Sequence, residues 1–181
     1  MNDEIILKRL AIIKYLFKIG VEQSKQVETV AAFSILSFHD SVEMFLKFLA
    51  ETKSINSNKF NFIDYWSKIS TLTLKESMRN LNTRRVNIKH KGILPSKTDI
   101  EISRVNTTDF FDQNVVAHFN IKFTEISLSD LVNNPDVKQL LNKAQEYLES
   151  KNYKDSIVKS ALAFDNLIYS KKGFLIYFLL H

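Results

Sequence analysis

The sequence contains no cysteine, and it has only three glycines and two prolines among its 181 residues. Without cysteine the chain can form no disulfide, no thiolate metal site and no thiol nucleophile. Glycine and proline are the residues that most often interrupt regular structure, so their scarcity predicts long uninterrupted elements. No glycine-rich phosphate loop is present, which argues against nucleotide hydrolysis of the P-loop type.

The chain also lacks an apolar run of the ~20 residues that a membrane-spanning helix needs. It begins MNDEIILKRL, with acidic residues where a signal peptide would carry basic ones. We therefore expect a cytoplasmic protein with no membrane partner. The apolar stretch GFLIYFLLH at the other end of the sequence is too short to span a bilayer. We expect this stretch to be covered by its own subunit or by another chain.

Apolar residues recur at intervals of three and four through most of the sequence, which is typical of an all-α protein. We expect a first helix from Asn2 to about Ile19, followed by Gly20 as its C-terminal cap. A longer helix is expected from about Val21 to Thr52, because its apolar stripe continues without a breaker.

Two patterns of the form Thr-x-x-Glu, beginning at Thr73 and Thr98, have the spacing of capping boxes and predict helix starts. The helix after Thr73 is expected to end at Gly92 and Pro95. The helix after Thr98 is expected to run to about Phe119. The following segment, IKFTEISLSDLV, fits either a loop or a pair of short strands.

A strong helix start follows at Asn134, Pro135 and Asp136, which supply a cap, a first-position proline and an acid in the first turn. Two segments with helical periodicity then flank the turn SKNY, which predicts an antiparallel pair of helices. The predicted fold is therefore an all-α antiparallel helical bundle over residues 1–130, followed by a C-terminal helical hairpin over residues 131–181.

Positive charge is concentrated in one segment, residues 75–97, which carries seven lysines and arginines against the single acid Glu76. The net charge of this segment is +6, whereas that of the whole chain is +5. A local basic patch indicates an anionic partner, phosphate above all. A solvated helix face whose lysines are balanced by acids elsewhere in the fold would give the same pattern.

One arginine of this segment, Arg85, lies in the middle of an apolar helical stripe. The apolar members of the stripe are Leu74, Met78, Leu81 and Ile88. Burying an unpaired guanidinium is expensive. Arg85 is therefore expected to be ion-paired, to lie at the mouth of a cleft or to lie at an interface. Asp40 and Glu43 of the preceding long helix are candidate acids for such a pair.

Arg85 and His90 have the spacing Arg-x4-His, and Arg84 and His90 have the spacing Arg-x5-His. Together with the preceding helix AAFSILSFHDSVEMFLKFLAE and the exit Lys-His-Lys-Gly, the motif resembles a HEPN domain (higher eukaryotes and prokaryotes nucleotide-binding) over residues 21–120. The resemblance implies a small antiparallel helical bundle and, as in many members, a metal-independent endoribonuclease. The segment NKAQEYLESKNYKDSIVKSALAFDNLI similarly resembles the opening helix pair of a partial second HEPN-like unit.

The resemblance makes Arg85 and His90 the expected catalytic residues. His90 would act as general acid or base on the ribose 2′-hydroxyl or the leaving oxygen, while Arg85 would stabilise the charged transition state. Side chains expected to hold flanking RNA phosphates are Arg79, Arg84, Lys89 and Lys91. On a regular α-helix Arg85 and His90 point about 140° apart. A shared site therefore needs unwinding near the end of the helix, or a homodimer in which both copies contribute.

One departure from the family pattern supports an alternative function. Val86 follows the arginine, where active members typically carry Asn, Asp or His. The alternative is a non-catalytic helical module that binds RNA or a protein partner, such as an antitoxin or a regulatory protein. Both functions fit a toxin–antitoxin or other defence-related system.

His39, Asp40 and Glu43 invite a comparison with metal sites, because His39 and Glu43 lie one helical turn apart. No further ligand pattern such as HExxH or an EF-hand accompanies them. We therefore interpret these three residues as a polar stripe on a bundle helix, and we expect no metal and no cofactor.

Overall fold

The computed structural model describes the backbone of residues 2–179 and the side chains of residues 2–169. This part of the chain is all-α and contains no strand, which confirms the predicted fold class. Its α-helices are α1 (Asp3–Ser24), α2 (Glu28–Ala32), α3 (Ser34–Thr52), α4 (Tyr65–Lys68), α5 (Lys75–Val86), α6 (Lys97–Phe119), α7 (Pro135–Glu149) and α8 (Tyr153–Leu179). None of the described helices is both long enough and apolar enough to cross a membrane.

The chain divides into two compact units, residues 1–126 and residues 127–181. The predicted division lay between residues 130 and 131. The first unit contains α1 to α6, in which α3 packs against α1, α5 and α6. The second unit contains the antiparallel pair α7 and α8, so the C-terminal helical hairpin of the prediction is present.

Helix α1 begins as predicted, because the Asn2 side chain accepts a hydrogen bond from Glu4 N at 3.0 Å. The predicted end at Gly20 is wrong, since α1 continues to Ser24. Gly20 lies inside the helix at a close approach to α3, and a Cβ atom there would lie 2.7 Å from two ring carbons of Phe38. The predicted second helix is likewise interrupted, and its residues form the last turn of α1, then α2 and α3.

Helix α3 forms the centre of the first unit, with twelve of its nineteen residues buried. Phe45 of α3 meets Phe110 and Phe111 of α6 edge to face, at centroid distances of 5.6 and 5.9 Å. Phe17 of α1 contacts Phe38 at 5.8 Å and Phe111 at 5.5 Å. Aromatic pairs of this kind contribute about 0.5–1.5 kcal/mol each beyond their buried area. The aromatic side chains therefore fix α1, α3 and α6 against one another.

The predicted capping box at Thr73 is wrong, because the Thr73 side chain is engaged elsewhere. Buried Asn114 of α6 donates to Thr73 Oγ1 at 3.0 Å and accepts from Thr73 N at 3.1 Å. Trp66 Nε1 donates to Thr73 O at 2.8 Å. Helix α5 consequently begins at Lys75, after Leu74 in the left-handed region at φ 57°. Tertiary hydrogen bonds thus position the start of α5.

The capping box of α6 is formed by Ser96 and Asp99, not by the predicted Thr98 and Glu101. Ser96 Oγ accepts from Asp99 N at 3.1 Å, and Asp99 Oδ2 accepts from Ser96 N at 3.3 Å. Glu101 is drawn to Arg104 on the same helix instead. The helix therefore begins two residues earlier than Asp99, and its first turn carries a charged carboxylate.

The second unit is organised by the cap of α7 and by one hydrogen bond across the hairpin. Asn134 Oδ1 accepts from Asp136 N and Val137 N at 3.0 and 3.1 Å, as predicted for a helix start at this point. Ser156 Oγ of α8 donates to Ala144 O of α7 at 2.8 Å. The bond pins the first turn of α8 to the last part of α7.

The undecided segment after α6 contains no strand pair. It forms two short 3-10 turns, Phe123–Glu125 and Leu128–Leu131. The expectation that the apolar stretch at 173–181 is covered concerns side chains that lie outside the described residues.

Lys14 of α1 fastens the end of the first unit. Its ammonium donates to Thr124 O at 2.8 Å and to Ile126 O at 2.5 Å. Burial, together with the nearby charge of Lys18, lowers the pKa of Lys14 from 10.5 to about 8, while Asp112 acts in the opposite direction. The segment that follows α6 is therefore held by a lysine that loses its proton at an unusually low pH.

We expect Gly20→Ala to destabilise the fold by on the order of 1 kcal/mol. Alanine is favoured over glycine inside a helix by up to about 1 kcal/mol, but overpacking typically costs about 1–3 kcal/mol. The added methyl group would collide with the Phe38 ring. Urea unfolding of the variant measures the change, and the double variant Gly20→Ala with Phe38→Leu should recover part of it. A Gly20→Ala protein at least as stable as wild type would contradict the close approach.

We expect the free energy of unfolding to rise with pH between about 8 and 10.5 because of Lys14. In this window the unfolded chain still holds the Lys14 proton that the folded chain has released, so alkaline pH favours the folded state. Urea unfolding at several pH values within the window, for wild type and Lys14→Met, measures this contribution. Lys59→Met, which removes an exposed lysine, is the control. Equal pH slopes for wild type and Lys14→Met would refute the assignment.

Candidate nucleic-acid interface and the polar cluster beside it

The helix that carries Arg85 widens after Val86 into a π turn, Asn87–Lys91. Asn87 O accepts hydrogen bonds from the backbone N–H groups of Gly92 and Ile93, the latter at 3.1 Å. Gly92 then ends the helix in the left-handed region at φ +65°, as the sequence predicts. Single π turns are rare in helices, and those that occur are often at functional sites. Between Arg85 and His90 the chain therefore departs from regular α geometry, and a site shared by the two residues within one chain requires such a departure.

The π turn places three basic or titratable side chains on the surface. Lys89, His90 and Lys91 are all exposed, and none of them is ion-paired within the described part of the chain. Helix α5 leads into this turn with Arg84 and Arg85, both half-buried. The local surface is therefore strongly positive at the π turn itself.

Two of the four predicted phosphate-binding residues are already engaged by acids. Arg84 donates from Nε and Nη2 to Asp99 Oδ1 at 3.0 and 2.8 Å, and its side chain is only 19% exposed. Arg79 pairs with Glu76 at 3.3 Å on the open surface. Arg84 thus joins α5 to the capping box of α6. The hydrogen bonds from Ser96, followed by that from Arg84, hold the pKa of Asp99 below its usual value.

Arg85 turns toward α3. Its Nε atom is buried and has no hydrogen-bond partner. Of the alternatives for Arg85, the ion pair with Asp40 or Glu43 is not formed, because Glu43 pairs with Lys47 at 2.6 Å and Asp40 approaches His39. The arginine still acts electrostatically on α3: its charge adds to burial in lowering the pKa of His39, and to the larger effect of Lys47 in lowering the pKa of Glu43.

A buried histidine lies at the centre of this contact between α3 and α5. His39 is 2% exposed, and its Nε2 atom lies 3.0 Å from Asn82 Oδ1 on α5. Its ring stacks on Phe62 at a centroid distance of 4.2 Å. Burial, followed by the charge of Arg85, lowers the pKa of His39 against the opposing influences of Glu43, Asp40 and Asn82. The ring is therefore held in its neutral form near neutral pH.

The other nitrogen of this ring faces two carboxylates, and together the three residues His39, Asp40 and Glu43 form what we call the α3 cluster. His39 Nδ1 lies 3.5 Å from Asp40 Oδ1 and 3.8 Å from Glu43 Oε2. It is buried and has no hydrogen-bond partner. For Glu43, burial raises the pKa, but Lys47, then His39 and Arg85, lower it overall.

The structure does not bring the two predicted catalytic residues together within one chain. Arg85 lies beside the α3 cluster, whereas His90 lies on the exposed π turn. Asn82 and Phe62 contact His39, and neither contact was predicted from the sequence. Their contacts depend on tertiary packing, and no local spacing signals them.

No family model, no curated protein and no solved structure matches this chain. Family membership and function therefore have to be argued from the residues of the site.

We expect Arg84→Gln to destabilise the fold by on the order of 1 kcal/mol, the upper range for a partly exposed ion pair, whereas Lys89→Gln should leave stability unchanged. Both variants remove one positive charge from the same segment, but only Arg84 holds an acid of a neighbouring helix. Thermal and urea unfolding of the two proteins provide the comparison. Equal stability of the two variants would mean that the Arg84–Asp99 pair contributes nothing to the fold.

Proposed function

We propose that this protein is a metal-independent endoribonuclease of HEPN type, with a toxin or other defence-related role. In this proposal Arg85 and His90 of two copies form one composite site in a homodimer. The observation that carries the proposal is the π turn, which presents His90 between two exposed lysines directly after the helix that holds Arg85.

The chemistry requires only the side chains of the protein. A His90 imidazole takes the proton of the ribose 2′-hydroxyl as its oxygen attacks the adjacent phosphorus, and the bond from phosphorus to the 5′-oxygen breaks. The second His90 of the dimer gives a proton to that leaving oxygen. Arg85 stabilises the charge that develops on the phosphoryl oxygens. The products are a 2′,3′-cyclic phosphate and a 5′-hydroxyl.

The positions of the two residues favour a site shared between copies. Arg85 is half-buried against α3, while His90 is exposed. In a two-fold dimer the same surface of both chains meets itself, so both arginines and both histidines can line one cleft. Lys89 and Lys91, which have no acidic partner in the described structure, would then contact flanking phosphates.

Val86 gives the alternative function its support, because the position after the arginine carries no polar side chain. In this case the same basic surface binds RNA, or an acidic protein partner such as an antitoxin, without cleaving anything. Binding through phosphate contacts weakens as salt is raised. Salt-sensitive binding of RNA without cleavage would therefore favour this alternative.

We expect purified protein to cleave RNA in the presence of a chelator and to leave 2′,3′-cyclic phosphate ends. His90→Ala and Arg85→Ala should each lower the rate by about a hundred- to a thousandfold, as is typical when one transition-state contact is removed. His118→Gln, which changes a histidine of α6 outside the site, is the matched control. Cleavage is followed on labelled RNA, and the unfolding of each variant is measured alongside.

Mixing the two inactive variants tests whether the site is composite. In a mixed dimer of Arg85→Ala and His90→Ala chains, one arginine and one histidine remain, on different chains. Because one histidine then remains for two proton transfers, only part of the cleavage should return, with water serving the second transfer. Any return of cleavage on mixing supports a shared site, whereas none means that the site needs both histidines or takes both residues from one chain. Equal background cleavage by wild type and His90→Ala across varied RNAs would refute the enzymatic function.

A further inference from the structure

We propose that the α3 cluster is a binding site for one divalent cation of the zinc type, with His39 Nδ1, Asp40 Oδ1 and Glu43 Oε2 as its protein ligands. The inference does not depend on the proposed ribonuclease function, because the chemistry of Arg85 and His90 uses no metal. It replaces our earlier interpretation of the three residues as a simple polar stripe.

An unpartnered nitrogen of the buried His39 ring favours a cation at the α3 cluster. Asn82 Oδ1 is a hydrogen-bond acceptor and lies 3.0 Å from Nε2, so Nε2 carries the proton of the neutral ring. The lone pair then resides on Nδ1, which is buried without a hydrogen-bond partner. Two carboxylate oxygens face this lone pair. The Nδ1 lone pair and the two carboxylate oxygens repel one another. A cation bound between them would be coordinated by all three atoms.

The spacing of the three ligand atoms also favours a bound cation. They all lie within 4.8 Å of one another, with the two distances from Nδ1 at 3.5 and 3.8 Å. A first-row ion holds nitrogen and oxygen ligands at about 2.0–2.2 Å, which puts neighbouring ligands about 3–3.5 Å apart. The two distances from Nδ1 need to close by only a few tenths of an ångström. The two carboxylate oxygens lie within 4.8 Å of each other and have further to close. The backbone of α3 holds the i and i+4 residues on one face, so side-chain rotation can bring the ligands together.

The surroundings of the ligands resemble the outer shell of a metal site. A histidine that binds a metal usually donates its other ring N–H to an oxygen, which fixes the tautomer, and Asn82 accepts this bond here. Lys47 holds Oε1 of Glu43 at 2.6 Å and leaves Oε2 for a metal. Asp40 is 54% exposed and Glu43 31% exposed, so a hydrated ion can approach from their side.

The donor set selects the kind of ion. One imidazole nitrogen and two carboxylates suit Zn²⁺ and its neighbours Co²⁺, Ni²⁺ and Mn²⁺, with water completing the coordination. Two positive charges oppose the ion, since Lys47 is bound to one ligand and Arg85 acts on the same cluster. Removing either charge should therefore tighten binding, a response that an unrelated surface site would not show.

The test is calorimetric titration of the full chain with Zn²⁺ alone, combined with ¹⁵N spectra of the histidine rings. We expect one bound ion per chain and a shift of the His39 Nδ1 signal, with the ring proton on Nε2 before metal is added. Asp40→Asn and Glu43→Gln should each weaken binding by roughly tenfold or more, and neither substitution disturbs the core as His39→Ala would. Arg85→Gln should tighten it by up to roughly tenfold.

Two control variants distinguish the α3 cluster from other places on the protein where Zn²⁺ could bind. Asp109→Asn, which removes an exposed carboxylate from α6, and His90→Gln should both bind Zn²⁺ as wild type does. The proposal is overturned if wild type binds no ion, if Asp40→Asn and Glu43→Gln bind it unchanged, or if the His39 proton resides on Nδ1 in the metal-free protein. Loss of binding in His90→Gln would also overturn it, since the ion would then lie at the π turn. RNA cleavage does not enter any of these measurements.

Discussion

Burial of α3 on nearly every side is the constraint on which the rest of the first unit depends. The polar side chains on its buried faces depend on partners inside the protein, because water cannot reach them. Ser37 finds Gln23 of α1 at 2.7 Å, Ser41 returns to Phe38 O at 2.7 Å, and His39 finds Asn82 of α5. The polar partners therefore specify which helix lies on which side of α3. The apolar contacts stabilise the packing of α3 against its neighbours, and the hydrogen bonds fix how the neighbouring helices are positioned along it.

The position of Arg85 follows from this arrangement. Met78 and Leu81 are completely buried and hold α5 against its neighbours, and Arg85 lies one turn beyond Leu81 on the same face. A guanidinium at this place has to approach α3, and the α3 cluster is what it meets there. The apolar stripe in the sequence thus predicted correctly that Arg85 is not freely solvated. It did not predict that the neighbouring acids would be held by Lys47 and His39 of their own helix, because the stripe on α5 carries no information about contacts within α3.

The helical class and the α7 start could be predicted because they depend on local signals: periodicity, caps and a proline at the first position. The failures at Thr73 and Gly20 have a common cause, which is competition from tertiary contacts, whereas the capping box at Thr98 lost to the local pair Ser96 and Asp99. Thr73 has the right residue type for a cap, but Asn114 takes its hydroxyl. Gly20 has the right type for a helix end, but its missing side chain serves the Phe38 contact instead. The π turn has no sequence signature of its own, and neither does the meeting of His39 with Asn82.

The π turn also changes what a motif spacing means. Across Asn87–Lys91 each backbone bond encloses one residue more than in an α-helix. A count of residues therefore no longer translates into an angle around the helix axis. Two sequences whose arginine and histidine differ in separation by one residue can present them alike, if one of them accommodates the difference in a widened turn. Alignments of such a segment should let insertions fall inside the turn, since a gap-free alignment there would superpose side chains that point in different directions.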